Sequence, residues 1–240
     1  MNIWRESQKI LVILAHPDDP DFFCGASIAK WVREGHTISY CLMTRGEKGI
    51  NDHFHPADVE SIKKIRENEQ KEAAEILGVG EITYLDQPDG YLIPHIYIRR
   101  QVVKIIRTIR PDIVVTCDPT NYYLRDTYIN HPDHRAAGQI VIDSVFPAAQ
   151  NPSFFPDLFI SKNLQPHKVK EVWLSLPYKP NVRIDVTKDW AQKINALHAH
   201  ASQIGDRDAF DKRMLARRIK GTSITNPKYE EFFHRIILQR

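Results

Sequence analysis

Between residues 9 and 117 the chain alternates short apolar runs with stretches of helical period, and this alternation limits its fold more than any other feature. Residues 9–15, 37–43, 82–85 and 112–117 read as buried strands, the last rich in β-branched side chains. Helices are expected between them at 22–34, 61–77 and 96–109. Gly35 and Gly78 stand just past the first two as C-terminal caps, and Pro111 stops the third. The second helix gathers Ile62, Ile65, Ala73, Ile76 and Leu77 on one side. The third gathers Val102, Val103, Ile105, Ile106 and Ile109. Apolar strands separated by helices demand a mostly parallel sheet flanked by helices on both faces, an α/β fold. Crossovers in such a sheet are right-handed, and ligands collect at the carboxyl ends of its strands.

Beyond a helix expected at 132–145 the pattern weakens. Residues 146–166 carry several prolines and aromatics and read as an irregular excursion. Strands are expected at 171–176 and 182–186, a helix at 187–204 and a basic helix at 210–219. Residues 229–238 fit either helix or strand. No repeat, low-complexity tract or linker divides the chain, so residues 1–240 are expected to form a single domain.

A formal charge of +3 is too small to argue for nucleic acid. The dense basic stretch of Arg207, Lys212, Arg213, Arg217, Arg218 and Lys220 fits an exposed helix face or a contact with a second copy, so a homo-oligomer is among the expectations. No segment is long and apolar enough to span a bilayer, and residues 10–15 are too short for a signal-peptide core. A soluble, cytoplasmic protein is expected. Cys24, Cys41 and Cys117 are odd in number and widely spaced, which suits buried small hydrophobes rather than disulfides or a thiolate zinc site.

Two motifs fall where such a fold gathers ligands. His16-Pro17-Asp18-Asp19 follows the first strand, and His131-Pro132-Asp133-His134 lies in the long loop after residues 112–117. His16 and Asp19 stand three apart, so in a tight turn they share a face and can grip one ion. Asp18 should then point to the open side, and His134 would arrive as third ligand from the other loop. Three nitrogen and oxygen ligands leave positions for water and substrate, the catalytic rather than the structural pattern. Zinc suits this set best, and iron(II), cobalt and manganese accept the same donors. Either motif alone also reads as an ordinary helix start, since Asp is a good cap. Both on one rim point to a metal-dependent hydrolase, with Asp18 and His131 spare for acid–base chemistry.

These residues carry a family resemblance. Ala15-His16-Pro17-Asp18-Asp19, with Cys24-Gly25-Ala26-Ser27-Ile28-Ala29 and Gly35-His36, resembles the PIG-L/LmbE-like zinc-dependent de-N-acetylases. Thr44-Arg45-Gly46-Glu47-Lys48-Gly49 resembles the family's second signature, and Arg66 to Glu69 its Arg-x-x-Glu helix. Asp89-Gly90 and His131-Pro132-Asp133-His134-Arg135 resemble two further motifs, in the right order over roughly the first 145 residues. The resemblance implies a Rossmann-like fold and removal of acetyl from an N-acetylglucosamine-type moiety. It implies zinc on His16, Asp19 and His134, with Asp18 as general base and His131 steadying the oxyanion. Arg66 and Asp89 would contact substrate. The expected reaction is direct attack of zinc-bound water on the N-acyl carbon of an amino-sugar-containing small molecule or glycoconjugate. One departure stands out: where the family commonly has Glu after the two aspartates, this chain has Pro20, which cannot supply a carboxylate's hydrogen bonds.

Other residues weigh less. His53, His55, Asp52 and Asp58 fit a plain surface loop before a lid or a second metal. Tyr122, Tyr123 and Tyr128 suit sugar faces or loop packing, and Trp173, Tyr178 and Trp190 suit core or interface. The competing readings are a metal-dependent amidase of a thiol or other conjugate, a phosphoesterase, and a non-catalytic module that retains the metal. Gly-x-Gly-x-x-Gly is absent after the first strand, which weakens a nucleotide-binding reading.

Overall fold

A computed structural model describes residues 3–49, 58–124 and 127–238. The parallel strands β1 (Lys9–Leu14), β2 (Thr37–Thr44), β3 (Glu81–Gln87), β4 (Ile113–Cys117) and β7 (Glu171–Ser175) form the body of the sheet. A short hairpin of β5 (Tyr123–Leu124) and β6 (Tyr128–Ile129) stands apart from it. β8 (Val182–Asp185) and β9 (Glu230–Ile237) complete one edge in antiparallel pairing. The seven-stranded order is β3-β2-β1-β4-β7-β9-β8. From β1 the chain moves outward to β2 and β3, then returns to lay β4 on the other side of β1. This reversal opens a crevice at the carboxyl ends of β1 and β4, where α/β sheets bind ligands.

The helices are α1 (Asp19–Arg33), α2 (Val59–Leu77), α3 (Ile96–Ile109), α4 (Pro132–Asp143), α5 (Pro156–Ile160), α6 (Trp190–Ala199), α7 (Ala201–Ile204) and α8 (Arg207–Leu215). Successive side chains of a strand face opposite ways. Ile10, Val12 and Leu14 therefore pack with Trp31 of α1, Leu77 of α2 and Leu197 of α6. Leu11 and Ile13 pack with Val102 and Ile106 of α3 and Ile140 and Val141 of α4. Both faces of the sheet are covered, as the apolar strands require. Cys24, Cys41 and Cys117 are buried and free. Among the described residues no helix is long and apolar enough to cross a membrane.

Several boundaries differ from expectation for identifiable reasons. α1 starts at Asp19 rather than at residue 22, with Pro20 in its first turn and acidic residues at its positive end. The helix is broken at Cys24 (φ −146°, ψ 16°). Its restarted N–H groups at Ala26 and Ser27 donate to the Glu231 carboxylate, which also accepts from Lys193 Nζ at 2.6 Å. α2 starts at Val59 because Asp58 caps it, accepting from Ser61 N at 2.7 Å. The buried face of α2 comprises Arg66, Gln70, Ala73, Ala74 and Leu77, while Ile62, Ile65 and Ile76 are only half-buried. Residues 146–166 begin within a π-helical turn (Ser144–Ala149) and hold α5. The buried Arg107 guanidinium ties them down through the carbonyls of Ala148, Ala149, Asn151 and Phe154. The helix expected at 187–204 divides at His200, whose backbone (φ −82°, ψ 55°) leaves the helical region. Residues 229–238 resolve to strand, inserted between β7 and β8.

Candidate active site

Beyond β1 the chain turns through His16, Pro17 and Asp18 into α1. Asp18 adopts φ 84°, ψ −31°, a conformation that side-chain-bearing residues avoid. Such backbone costs about 1–3 kcal/mol and persists only where neighbours hold it. Here Asp18 N donates to Gln70 Oε1 at 2.8 Å, and Arg66 Nη2 donates to Pro17 O at 2.7 Å. The same Arg66 Nη2 lies 3.1 Å from Asp18 Oδ2. Asp18 stands at the N-cap of α1, yet its side chain makes no capping hydrogen bond. It is also the least buried residue of its motif, so its carboxylate is the one that meets solvent. Asp19, one residue on, is buried and accepts from His16 N through Oδ2 at 2.9 Å.

The second motif begins α4. His131 is the N-cap, with Nδ1 accepting from Asp133 N at 3.2 Å, and Pro132 occupies the first helical turn. His134 follows on the next face, and Asp133 is fully buried. The rings of His16, His131 and His134 lie with centroids 4.9–5.2 Å apart. Asp19 sits among them: Oδ2 is 3.3 Å from His16 Nδ1, and Oδ1 is 3.1 Å from His134 Nε2.

Hydrogen-bond partners decide which ring nitrogens keep a lone pair. A neutral imidazole carries one N–H, and its second nitrogen is the one that ligates. His16 Nε2 stands 3.0 Å from Asp89 Oδ1 and 3.4 Å from Asp133 Oδ2, which favours a proton on Nε2 and leaves Nδ1 as the nitrogen turned to Asp19. His134 Nδ1 faces Asn130 Oδ1 at 3.0 Å, and Asn130 is fixed in that sense because its Nδ2 donates to Asn121 O. This frees His134 Nε2. His131 is the reverse case: a backbone N–H already takes Nδ1, so Nε2 carries the proton and offers a donor. Three histidines are close enough to hold an ion, and of these His16 Nδ1 and His134 Nε2 stand within 3.3 Å of Asp19. A tetrahedral ion with bonds of about 2.0–2.1 Å spaces its ligand atoms about 3.3 Å apart. Asp19 meets the two rings through different oxygens, at 3.3 and 3.1 Å, contacts of about that length, so nitrogen and carboxylate donors suited to a divalent metal are gathered here.

The electrostatics follow from the same contacts. Burial raises the Asp19 carboxyl, but His134 and His16 more than offset it and hold it far below the usual range. Burial lowers His16, yet Asp19, Asp133 and Asp89 together carry it well above its ordinary value. Asp18 goes the other way: burial raises it, and the Arg66 cation offsets this only in part. His131 is lowered by burial and by its two histidine neighbours, which keeps it neutral.

The remaining expected residues are placed as follows. Arg66 is buried, with its guanidinium engaged by Gly46 O, Pro17 O and Asp18. Gly46 has φ +65°, and a Cβ there would stand 2.3 Å from Arg66 Nη1, so this close approach requires glycine. Asp89 is buried; Oδ2 accepts from Lys48 N at 2.8 Å, and Oδ1 meets His16. Tyr122, Tyr123 and Tyr128 are exposed on and beside the β5–β6 hairpin, next in sequence to His131. Trp173 lies in the core, Trp190 stacks on Tyr229, and Tyr178 is exposed. His53, His55 and Asp52 lie outside the described residues, and Asp58 is a helix cap. Sequence reasoning missed Gln70, Asp21, His200, Asn130 and the role of Asp133. Asp133 accepts from Gly90 N and Leu92 N and so binds the Asp89 loop to α4. Its place between the two histidines of one motif was the available signal. Gln70 sits one turn after Arg66 on the same helix face, which was another.

Fold and site together define a class: an α/β protein with two histidines and a carboxylate gathered at the switch point of its sheet. The chain belongs to the PIG-L family, described as GlcNAc-PI de-N-acetylase, which matches residues 11–145. It is 34% identical over 200 residues to the diacetylchitobiose deacetylase of Thermococcus kodakarensis, covering 83% of this chain and 72% of that one. It is 27% identical over 215 residues to a probable N-acetyl-alpha-D-glucosaminyl L-malate deacetylase 2 of Bacillus anthracis, covering 87% of each. The N,N'-diacetylchitobiose deacetylase of Pyrococcus horikoshii has a similar structure, with TM-score 0.85 at 29% identity over 98% of this chain and 86% of that one.

Proposed function

We propose that this protein is a metal-dependent hydrolase that removes an N-acetyl, or related N-acyl, group from an amino-sugar-containing small molecule. The observation that carries the reading is the convergence of His16 Nδ1 and His134 Nε2 on the buried Asp19 carboxylate, at 3.3 and 3.1 Å. His16 Nδ1, Asp19 and His134 Nε2 would hold the ion, zinc by preference. When bound, such an ion acidifies a water to a pKa of about 7 and polarises a carbonyl. Deacetylase relatives across most of the chain's length support the reaction class.

The chain's own residues supply the rest. Hydrolysis adds water across the C–N bond: oxygen goes to the acyl carbon, and a proton goes to the departing amine. Asp18 accepts that proton and returns it to nitrogen, acting first as base and then as acid. Its partly open position and raised pKa suit both halves of the task. His131 donates from Nε2 to the oxygen that gains charge, as a neutral imidazole; a donor so placed is typically worth about 3 kcal/mol. Arg66 and Asp89, which resemblance gives to the substrate, have their polar atoms engaged by Asp18 and His16, and we assign them first to holding those two. The exposed tyrosines beside His131 offer ring faces to a sugar.

The test is acetate release from a panel of N-acetylated amino sugars and their conjugates, with the primary amine measured in parallel. Equal amounts of acetate and amine are expected, lost on chelation and restored by zinc. Metal-replete protein that releases neither product from any member of the panel refutes the reading.

A further inference from the structure

Behind Asp18 lies a sealed chain of polar groups drawn from three helical segments. Gln70 of α2 accepts the Asp18 N–H through Oε1 at 2.8 Å and donates from Nε2 to Asp21 Oδ2 at 2.9 Å. His200, at the break between α6 and α7, places Nε2 2.9 Å from the same Asp21 oxygen. Asp21, Gln70 and His200 are all completely buried. The neighbouring turn is bolted to the same helix, since Glu69 accepts from both Ser202 N and Ser202 Oγ at 2.7 Å. His200 lies beyond the segment matched by the family, in the part of the chain whose pattern is weakest. The carboxylate missing at Pro20 is present one residue later, at Asp21, facing inward.

We propose that Gln70, oriented by Asp21 and His200, is a positioning residue that holds the Asp18 peptide in its left-handed conformation and so keeps the Asp18 carboxylate aimed into the site. The inference rests on the reading of Asp18 as the proton-transferring group. An amide fits this place for a reason. The Asp18 N–H demands an acceptor, and the Asp21 carboxylate demands a donor; Gln offers one of each in a fixed direction. Without the acceptor, the Asp18 N–H loses its partner. The contacts that remain, from Arg66 to Pro17 O and the Asp18 side chain and from α1 to Asp18 O, do not fix the peptide N–H against relaxation to an ordinary negative φ, a rotation that swings the side chain away. The ligands His16, Asp19 and His134 form no part of this chain of bonds, so metal binding should survive its loss.

The experiment is a polarity swap in the full-length, zinc-loaded protein. Gln70→Glu opposes one carboxylate with another at Asp21, and kcat is expected to fall at least ten-fold, with KM within two-fold and zinc content unchanged. The double variant Gln70→Glu/Asp21→Asn restores donor against acceptor and keeps an oxygen for His200, so kcat should return to within three-fold of wild type. Wild-type kcat in the single variant, no recovery in the folded double variant, or zinc lost in step with kcat would each overturn the inference. Failure of the functional reading looks different: the wild-type protein itself then releases no acetate. The inference is read in that case from a crystal structure of Gln70→Met, which removes the acceptor at nearly constant length. Asp18 should leave the left-handed region there, and retention of a φ near 84° refutes the positioning role whatever the activity.

Discussion

The Asp89→Asn substitution separates two roles that one buried carboxylate could play. Asp89 Oδ1 stands 3.0 Å from His16 Nε2, and Oδ2 accepts from Lys48 N at 2.8 Å. Burial alone would raise its pKa, but the His16 contact more than compensates and lowers it to about 2, so at neutral pH both oxygens are acceptors. Asparagine offers only one. If that oxygen stays with His16, the Lys48 N–H is left unpaired, a loss of about 1–3 kcal/mol. At about 2–4 °C per kcal/mol for a chain of this size, the melting temperature falls by about 2–12 °C. If the oxygen turns to Lys48, an amide N–H faces His16 Nε2 and drives the imidazole proton to Nδ1, the nitrogen that would have to stay bare for the proposed ion. Asp133 Oδ2, 3.4 Å from the same nitrogen, remains as a second acceptor and keeps the loss partial. Loss of such a ligand-orienting partner typically weakens metal binding by about 10–100-fold, or about 1.4–2.7 kcal/mol. The assay is a zinc competition titration of the metal-free protein against a chromogenic chelator, with thermal melting alongside. Unchanged zinc affinity and melting, with only KM raised, would show that Asp89 serves the substrate and that the tautomer argument fails.

Asp18→Asn should keep full zinc content and lose about 10²–10⁴-fold in kcat, whereas His134→Ala should lose both; metal analysis beside acetate release checks the pair. Lys193→Met strands the buried Glu231 carboxylate, which sits 2.6 Å from Lys193 Nζ. Breaking a sealed pair in this way costs about 3–5 kcal/mol, so melting should fall by about 6–20 °C, and a fall under about 2 °C would refute it. Glu171 supplies a pH dependence. Burial raises its pKa, but Arg235, Trp173 and Trp4 outweigh burial and leave it below the ordinary 4.5. A depressed carboxylate stabilises the fold fully above its unfolded-state value and loses that contribution as pH falls through the folded-state value. The melting gap between wild type and Glu171→Gln should therefore be widest at neutral pH and narrow below about pH 4.5; a gap that widens in acid contradicts the assignment.

The fold was legible where apolar periodicity was strong, because burial enforces that pattern directly. α3 matches its expected bounds, Ile96–Ile109, residue for residue. Elements governed by distant polar partners were not legible. The break at His200 has no local cause: its imidazole is drawn to Asp21, 179 residues earlier. The fracture of α1 at Cys24 depends on Glu231, 204 residues from the Ser27 amide that it accepts. A one-dimensional pattern records what a residue prefers, and these positions record what it meets.

The site divides along the same line. That His16, Asp19 and His134 come together was readable, because the two motifs fall at strand ends on one rim of an α/β pattern and residue types carry that signal. Which nitrogen of each ring turns toward Asp19 was unreadable, since the other faces Asp89, Asp133 and Asn130, whose approach only the folded chain reveals. Pro20 shows the limit most sharply. Read along the sequence, it removes a carboxylate from the motif. In the fold, the first turn of α1 buries Asp21 against Gln70 and His200, so a carboxylate still braces the loop from the next position. The acceptor directly behind Asp18 is Gln70, and its own partners are a carboxylate displaced by one position and, through that carboxylate, His200 from beyond the matched family region.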